Sequence, residues 1–598
     1  MKKLAALILA LCMVLSLAAC GSSSGSGSAS SGGTASSTGS VSSGDGSGDA
    51  AEPVATNTSE PTYGGSMTML YGDALMQYFD PAMADNRTYG LWLESLWTID
   101  WGAEDPDSYQ SNYITYDKCE GQIADTWEIA DDYSSITVTI RDDVFFQDKS
   151  VAGLGDYDIF GGRQLTAEDV AYSYRRLLGI DGVTATQNAE IPWEIQLPGI
   201  DRIEVQDDTT LTFYFTDPSE VTVNNFMVNT VNITGPEWDE LTAEQMADWH
   251  YACGTGPYIL TGFELDSSMD FVKSENYYDY DERYPENKLP YLDSVRLVQI
   301  SDSSNIVTQF ISGQLDYIGF HNDLISTSEM QQLRDTMGEG NYQEYQYNNT
   351  PVGIGLHSNQ EPFNDINVRI AMQEAIDCET IATSYYGQSE LVLPGLWASD
   401  LGWSADYSDE VLATYEYNPE DAKNRLAEAG YPDGFDMTLY IRSDSDQTLY
   451  QMAASYLAAV GINVTIETAT DTSTLNAYAL DNTNNYAFYT GCGGQYNVSQ
   501  ALGRVLPTGN EYGLFYDNPE FEELGAALNV ATTMEERAEI GTQMDEIWME
   551  NHWAIYVGGC ITLHDFFSSK IGGFTGERLC ENNNTRTILA RIWDSTAE

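Results

Sequence analysis

Ile123-Ala124-Asp125-Thr126-Trp127-Glu128-Ile129 turns through Asp131-Asp132-Tyr133-Ser134-Ser135 and returns as Ile136-Thr137-Val138-Thr139-Ile140-Arg141. In the returning run Ile136, Val138 and Ile140 face one way, and Thr137, Thr139 and Arg141 face the other. A period of two over this length predicts a half-buried antiparallel strand. Leu165-Thr166-Ala167-Glu168-Asp169 then opens a helix, with Thr166 as its cap and Asp169 as a shortened capping-box acid. Val170, Tyr174, Leu177 and Leu178 fall on one face of that helix.

Ser66 to Tyr71 and Leu211 to Phe215 also read as strands, and Leu91 to Leu96, followed by Trp97, as an amphipathic helix. Asp365 caps a helix whose apolar stripe is Val368, Met372, Ala375 and Ile376. Asn418-Pro419 starts the next helix, which Gly430 and Pro432 end. Phe435 to Ile441 is a strand, Thr448 to Val460 a helix and Ile462 to Ile466 a strand. That unit predicts a right-handed parallel crossover, hence an α/β region. Asn518-Pro519 and Thr533-x-x-Glu536 begin two last helices, the second turning Ile540, Met544, Ile547 and Trp548 inward.

The 598 residues are enough for two or three domains with a large core. With 25 basic and 92 acidic residues the formal charge is −67, which repels nucleic acid and anionic lipid headgroups. The 39 tyrosines suit both packing and a wall that stacks on ligands. Of eight cysteines, Cys12 and Cys20 lie in the leader; Cys119, Cys253, Cys378, Cys492, Cys560 and Cys580 form no C-x-x-C. They can be disulfides or buried thiols, and the spacing does not decide. The five histidines show no paired spacing that indicates a metal site or a general base, and no nucleophile has an evident base. No cofactor and no catalytic residue are therefore expected.

Met1-Lys2-Lys3 precedes an apolar run, Leu4 to Leu17, that is too short to span a bilayer comfortably and reads as a signal peptide over residues 1–20. Leu17-Ala18-Ala19-Cys20-Gly21 resembles the lipobox of bacterial lipoproteins, which implies lipidation of Cys20; the alternative is an ordinary cleavage near Ala19. Residues 21–62, rich in Ser, Gly, Ala and Thr, read as a flexible tether of roughly 35 Å.

The order A-D-T-W-E, T-V-T-I-R-D-D-V-F-F and L-T-A-E-D-V-A-Y-S-Y-R-R resembles the extracellular solute-binding proteins of family 5, the oligopeptide and dipeptide binders of ABC transporters. Other landmarks follow in the same order: Phe79-Asp80-Pro81-Ala82, Cys253-Gly254-Thr255-Gly256-Pro257-Tyr258, and Glu361-Pro362-Phe363-Asn364-Asp365 through Arg369. Phe146 to Gln164 is an insertion in that pattern. The resemblance implies a bilobal periplasmic-binding-protein-like α/β fold (type II, cluster C) with an extra subdomain and a hinged cleft. Domain I would comprise residues 63–98, 229–345 and 554–598, domain II 99–228 and domain III 346–553. It also implies a monomer that binds a small solute, most simply a peptide, and delivers it to an ABC permease on the outer face of the membrane.

For the site, the resemblance points to Asp85, Asn86 and Arg87, which can lend polar groups to the cleft or form a solvated ion pair. Trp397 and Trp403 lie in a proline-rich loop, either as core or as a stacking wall. The third stretch is Gly491-Cys492-Gly493-Gly494-Gln495-Tyr496. In the peptide binders this segment reads G-W-x-A-D-Y, and its aspartate receives the peptide ammonium. Here Cys492 stands at the tryptophan place and neutral Gln495 at the aspartate place, which leaves an oligosaccharide or other neutral polar solute as an alternative ligand. An anchored extracellular hydrolase is the alternative from another class.

Overall fold

The computed structural model describes residues 57–71, 79–81, 90–101, 115–180, 197–229, 231–319, 325–386, 391–442, 447–481, 487–495, 497–507, 513–576 and 588–597. Ala124–Ile129 and Ser135–Ile140 join Thr210–Phe215 and Ile200–Val205, in that order, in a four-stranded antiparallel sheet. Ile136 pairs with Phe213 and Val138 with Leu211, so the apolar face of one strand meets that of the next. Phe213 and Phe215 pack against Phe226 at 4.8 and 5.2 Å between ring centroids, and Trp97 meets the same ring at 5.4 Å. Aromatic pairs of this geometry contribute about 0.5–1.5 kcal/mol each beyond the area they bury.

Helix Ala167–Leu178 lies on this sheet with Val170, Tyr174 and Leu177 buried. Asp169 closes the capping box by accepting the Thr166 N–H at 2.8 Å, and Gly179 ends the helix in the left-handed region. The buried Arg176 reaches from this helix to Asp80, with two parallel bonds of 2.7 Å, and fixes the Phe79-Asp80-Pro81 turn. The inserted loop is docked too. Gln147 donates to the carbonyls of Gly256 and Tyr258, and the buried Lys149 ammonium donates to those of His250 and Ala252.

The expected helix over Leu91 to Leu96 is not formed. A short 3-10 turn ends at Leu91, the chain runs irregularly, and Trp97–Ile99 is a strand paired with Cys119–Gly121. Leu91, Trp92, Leu93 and Leu96 are all buried, so no polar face exists for an amphipathic helix to turn outward. Their backbone is satisfied by neighbours instead: Gly256 N–H on Trp92 O, Ile233 N–H on Glu94 O, and Gln122 and Ala124 N–H on Leu96 O.

A ten-stranded mixed sheet runs through the rest of the molecule, in the order Ile462–Ala469, Phe435–Arg442, Ala487–Gly491, Tyr342–Leu356, Ala554–Ser568, Tyr317–Ile318, Ser66–Tyr71, Ser294–Gln299, Ser268–Lys273, Tyr258–Glu264. Phe435–Arg442 and Ile462–Ala469 pair in parallel across helix Gln447–Ala459, as the strand-helix-strand pattern requires. Two large apolar cores flank the middle of this sheet. One gathers residues between Met67 and Leu297 with the C-terminal Phe567 to Trp593; the other gathers residues between Val352 and Val557. The fold is therefore bilobal. Helix Ile366–Glu374, capped by Asp365, buries Val368 and Met372 in the second core. Helix Met534–Asn551 buries Arg537, Gly541, Met544 and Trp548, while Ile540 and Ile547 lie half-buried at the side of that stripe rather than at its centre.

The strands Tyr342–Leu356 and Ala554–Ser568, each of 15 residues, pass from one core to the other. They pair from Tyr342 with Ser568 to Gly355 with Ala554, with register shifts between Asn348, Pro351 and Gly353. Pro351 faces Cys560 while Gly353 faces Tyr556, so Val557, Gly558 and Gly559 bulge opposite a single residue. Gly558 and Gly559 take φ of +90° and +78°, open to glycine at little cost. The ladder is thus interrupted where the chain leaves one lobe for the other.

Candidate functional site

The strand Ala487–Gly491 runs antiparallel to Val352–Leu356 and ends with Gly491 opposite Val352, beside the interrupted part of the crossing strands. The chain then turns. Cys492 N–H donates to Pro351 O at 2.7 Å, and its buried thiol points at Ala554 O. Gly493 has φ of +89°, and a Cβ there would lie 2.1 Å from Gly395 O, so only glycine fits. Gly494 and Gln495 N–H donate to Gly395 and Leu396 O, and Ala398 N–H donates to Gln495 O. Gly491 to Gln495 is thereby zipped onto the Pro394–Ala398 loop at the edge of the second lobe nearest the crossing strands.

That loop is fastened to helix Met534–Asn551. The buried Asp545 carboxylate accepts from Leu396 N–H, Ala405 N–H and the Tyr407 hydroxyl. The Trp397 indole donates to Gly541 O at 2.8 Å, and Trp548 donates to Pro394 O. Trp397 and Trp403 meet edge to face at 5.1 Å and are 3% and 4% exposed within the second core. Both tryptophans are packed among the residues of that core.

Gln495 is 2% exposed. Its amide donates to Gly493 O at 2.8 Å and accepts from Arg504 Nη1 at 2.8 Å. Both ends of the side chain are engaged inside the turn, and the half-buried Arg504, on helix Val498–Val505, stands directly behind it. Replacing Gln495 by Ala should therefore lower the stability of the empty protein by about 1–3 kcal/mol, since Arg504 and Gly493 O each lose a partner. Chemical denaturation without ligand measures this. Asp85, Asn86, Arg87, Tyr496 and the leader with Cys20 lie outside the described residues.

Arg504 and Asp545 carry no signal in the sequence: each is an ordinary charged residue within a helix, and the partners lie nine and 138 to 149 positions away. The cysteine alternatives resolve for four of the six. Cys119, Cys253, Cys378 and Cys492 are buried thiols, and burial pushes the first three up to about 12, which leaves them unreactive. No group of His, Cys, Asp and Glu suited to a metal ion occurs among the described residues, and no described helix is long and apolar enough to cross a membrane.

The profile of the bacterial extracellular solute-binding proteins, family 5 (Middle), matches residues 118–510. The chain belongs to family 5. Within the family, Heme-binding protein A of Haemophilus influenzae is 24% identical over 350 residues, 54% of this chain and 56% of that protein, so the match spans little more than half of that relative's length. Glutathione-binding protein GsiB of Salmonella typhi is 23% identical over 452 residues, 73% of this chain and 80% of that one. Among solved structures, the family 5 fold recurs in the periplasmic binding protein DppA of Helicobacter pylori in complex with peptide STSA. That structure has a TM-score of 0.65 and 19% identity, and the match covers 90% of this chain and 99% of DppA. NikA of Brucella suis in complex with Fe(III)-EDTA gives 0.66 and 17%, covering 87% and 99%.

Proposed function

We propose that this family 5 protein captures a small solute outside the cell, most simply an oligopeptide or dipeptide, and hands it intact to an ABC permease. The observation that carries the reading is the pair of strands that cross between two separately packed lobes and are irregular where they cross. Such strands let two rigid bodies rotate over a cleft and exclude water from what lies there. The peptide in complex with DppA of Helicobacter pylori and the name of GsiB support a peptide-like ligand. The chemistry around Gln495 qualifies it: where the resemblance leads one to expect an aspartate for a free ammonium, this chain has a neutral amide already engaged by Arg504 and Gly493 O. Affinity would come from backbone and polar contacts, and no covalent step is needed.

Thermal shift with panels of free, N-acylated and C-amidated peptides, and of oligosaccharides, tests this. Ligand at 100 times its Kd should stabilise the protein by about 2.7 kcal/mol. Peptides should shift the midpoint and oligosaccharides should not; the reverse would make the ligand a sugar. Conversion of the added compound would make the protein a hydrolase.

The same reading places the protein on the outer face of the membrane, held by lipid on Cys20. Lipid chains contribute about 0.8 kcal/mol per buried methylene, so Cys20→Ala should move nearly all of the protein from the membrane fraction to the medium. Membrane retention of that variant would refute the anchor.

A further inference from the structure

Helix Glu220–Val228 belongs to the first lobe, where Val223, Phe226 and Met227 enter the core behind the four-stranded sheet. Helix Met534–Asn551 belongs to the second, where Met544, Trp548 and Met549 are buried. The two helices meet at their N-termini. Glu220 Oε2 accepts the backbone N–H of Met534 at 3.0 Å, and Glu220 Oε1 accepts the Tyr116 hydroxyl at 3.4 Å. Tyr116 is itself held to the first lobe, its N–H donating to Asn224 Oδ1 at 3.0 Å.

Met534 is the first residue of an 18-residue helix. The N–H groups of a helix's first turn have no partner within the helix, and the aligned peptide dipoles leave that end partly positive. The Thr533 hydroxyl serves the N–H of Glu536. The Met534 N–H is served from the other lobe, by a carboxylate. A bond of this kind exists only while the lobes are together. We propose that Glu220, steadied by Tyr116, is a latch that favours the closed form by capping the second lobe's helix Met534–Asn551. The proposal rests on the reading of the chain as a trap that opens and closes.

Two substitutions remove the bond from opposite sides. Glu220→Ala deletes the acceptor at the first position of its own helix, where alanine is well accepted. Met534→Pro deletes the donor. Proline is favoured at this first helical position, and Thr533, with φ −124° and ψ 156°, already has the extended backbone proline demands of its predecessor. Fluorescence energy transfer between labels at Leu265 of the first lobe and Leu480 of the second, both about half exposed, reports the lobe separation. Each variant should lower the closed-to-open ratio of the ligand-free full chain by about three- to tenfold, and the double variant should do no more than either alone. An unchanged distribution in either single variant, or effects that multiply in the double, would overturn the latch. A separate arm titrates dipeptides and tetrapeptides into the wild type. If its lobe separation ignores every peptide while the variants still open, the peptide reading fails and the latch stands. If peptides close the wild type and both variants alike, with unchanged starting ratios, the latch fails and the peptide reading stands.

Discussion

Asp80→Ala should lower the unfolding free energy of the first lobe by about 3–5 kcal/mol, the largest single-residue loss expected in this protein. Arg176 is 1% exposed and gives two bonds of 2.7 Å to Asp80; its remaining contact in the ion cluster is a 3.2 Å bond to the solvent-facing Asp239. Without Asp80 the guanidinium remains buried with, among the described residues, that one outer partner, and taking a charge out of water uncompensated is far costlier than the pair itself is worth. The corollary separates the loss of a partner from the loss of packing. Asp80→Leu combined with Arg176→Met removes both charges, fills similar volume, and should recover most of the lost stability. Urea denaturation of the three proteins measures it. Equal midpoints for wild type and Asp80→Ala would mean that the pair contributes nothing.

Glu94→Gln should have an effect of opposite sign that depends on pH. Glu94 is buried between Tyr277, Tyr278 and Gln122, which all donate to Oε1 at 2.9–3.1 Å, and among the described residues Oε2 has no hydrogen-bond partner. Burial, against the hydrogen bonds, pushes the carboxyl up to about 8. The folded protein therefore holds this proton more tightly than the unfolded chain. Its contribution is complete below the unfolded value near 4.5 and is lost as pH rises towards 8. A pKa unit is worth about 1.4 kcal/mol, so by pH 7 the wild type has lost about 3 kcal/mol at this residue. Glutamine keeps the acceptor for both tyrosines, sets its amide beside Thr255, and has no proton to lose. The stability difference between variant and wild type should thus grow in favour of the variant from pH 5 to pH 8. A constant difference would show that Glu94 is ionised throughout. Glu120 and Glu374, raised to about 7 chiefly by burial, add slopes of the same sign in both proteins and cancel in the comparison. His552 acts at the other end of the scale. Burial lowers its imidazole to about 3, so the folded state resists its protonation and loses stability as pH falls below the ordinary value of 6.5.

What could be read from the sequence was local. Ser135–Ile140 alternates because one face of that sheet is covered, and an alternation over six residues needs no tertiary knowledge. The caps at Thr166, Asp365, Asn418, Asn518 and Thr533 are legible because cap and recipient lie two or three residues apart. Leu91 to Leu96 misleads for the same reason in reverse: a segment buried on all sides has no period, and an apolar run fits helix and coil alike. The stretch Gly491 to Tyr496 is marked in the sequence by its resemblance to a known motif, but the inward-turned amide of Gln495 is not, because that depends on Arg504 arriving from the next helix and on Gly493 bending the chain back. Glu220 and Met534 are 314 residues apart, and nothing near either one announces the other.

Native mass spectrometry of the gently purified protein decides whether the chain is a reversible trap. A fraction of molecules should carry one small compound, released on mild denaturation with its mass unaltered and able to rebind and close the lobes. A released compound that is chemically changed by the protein on readdition, or that binds without altering the lobe separation, would contradict it.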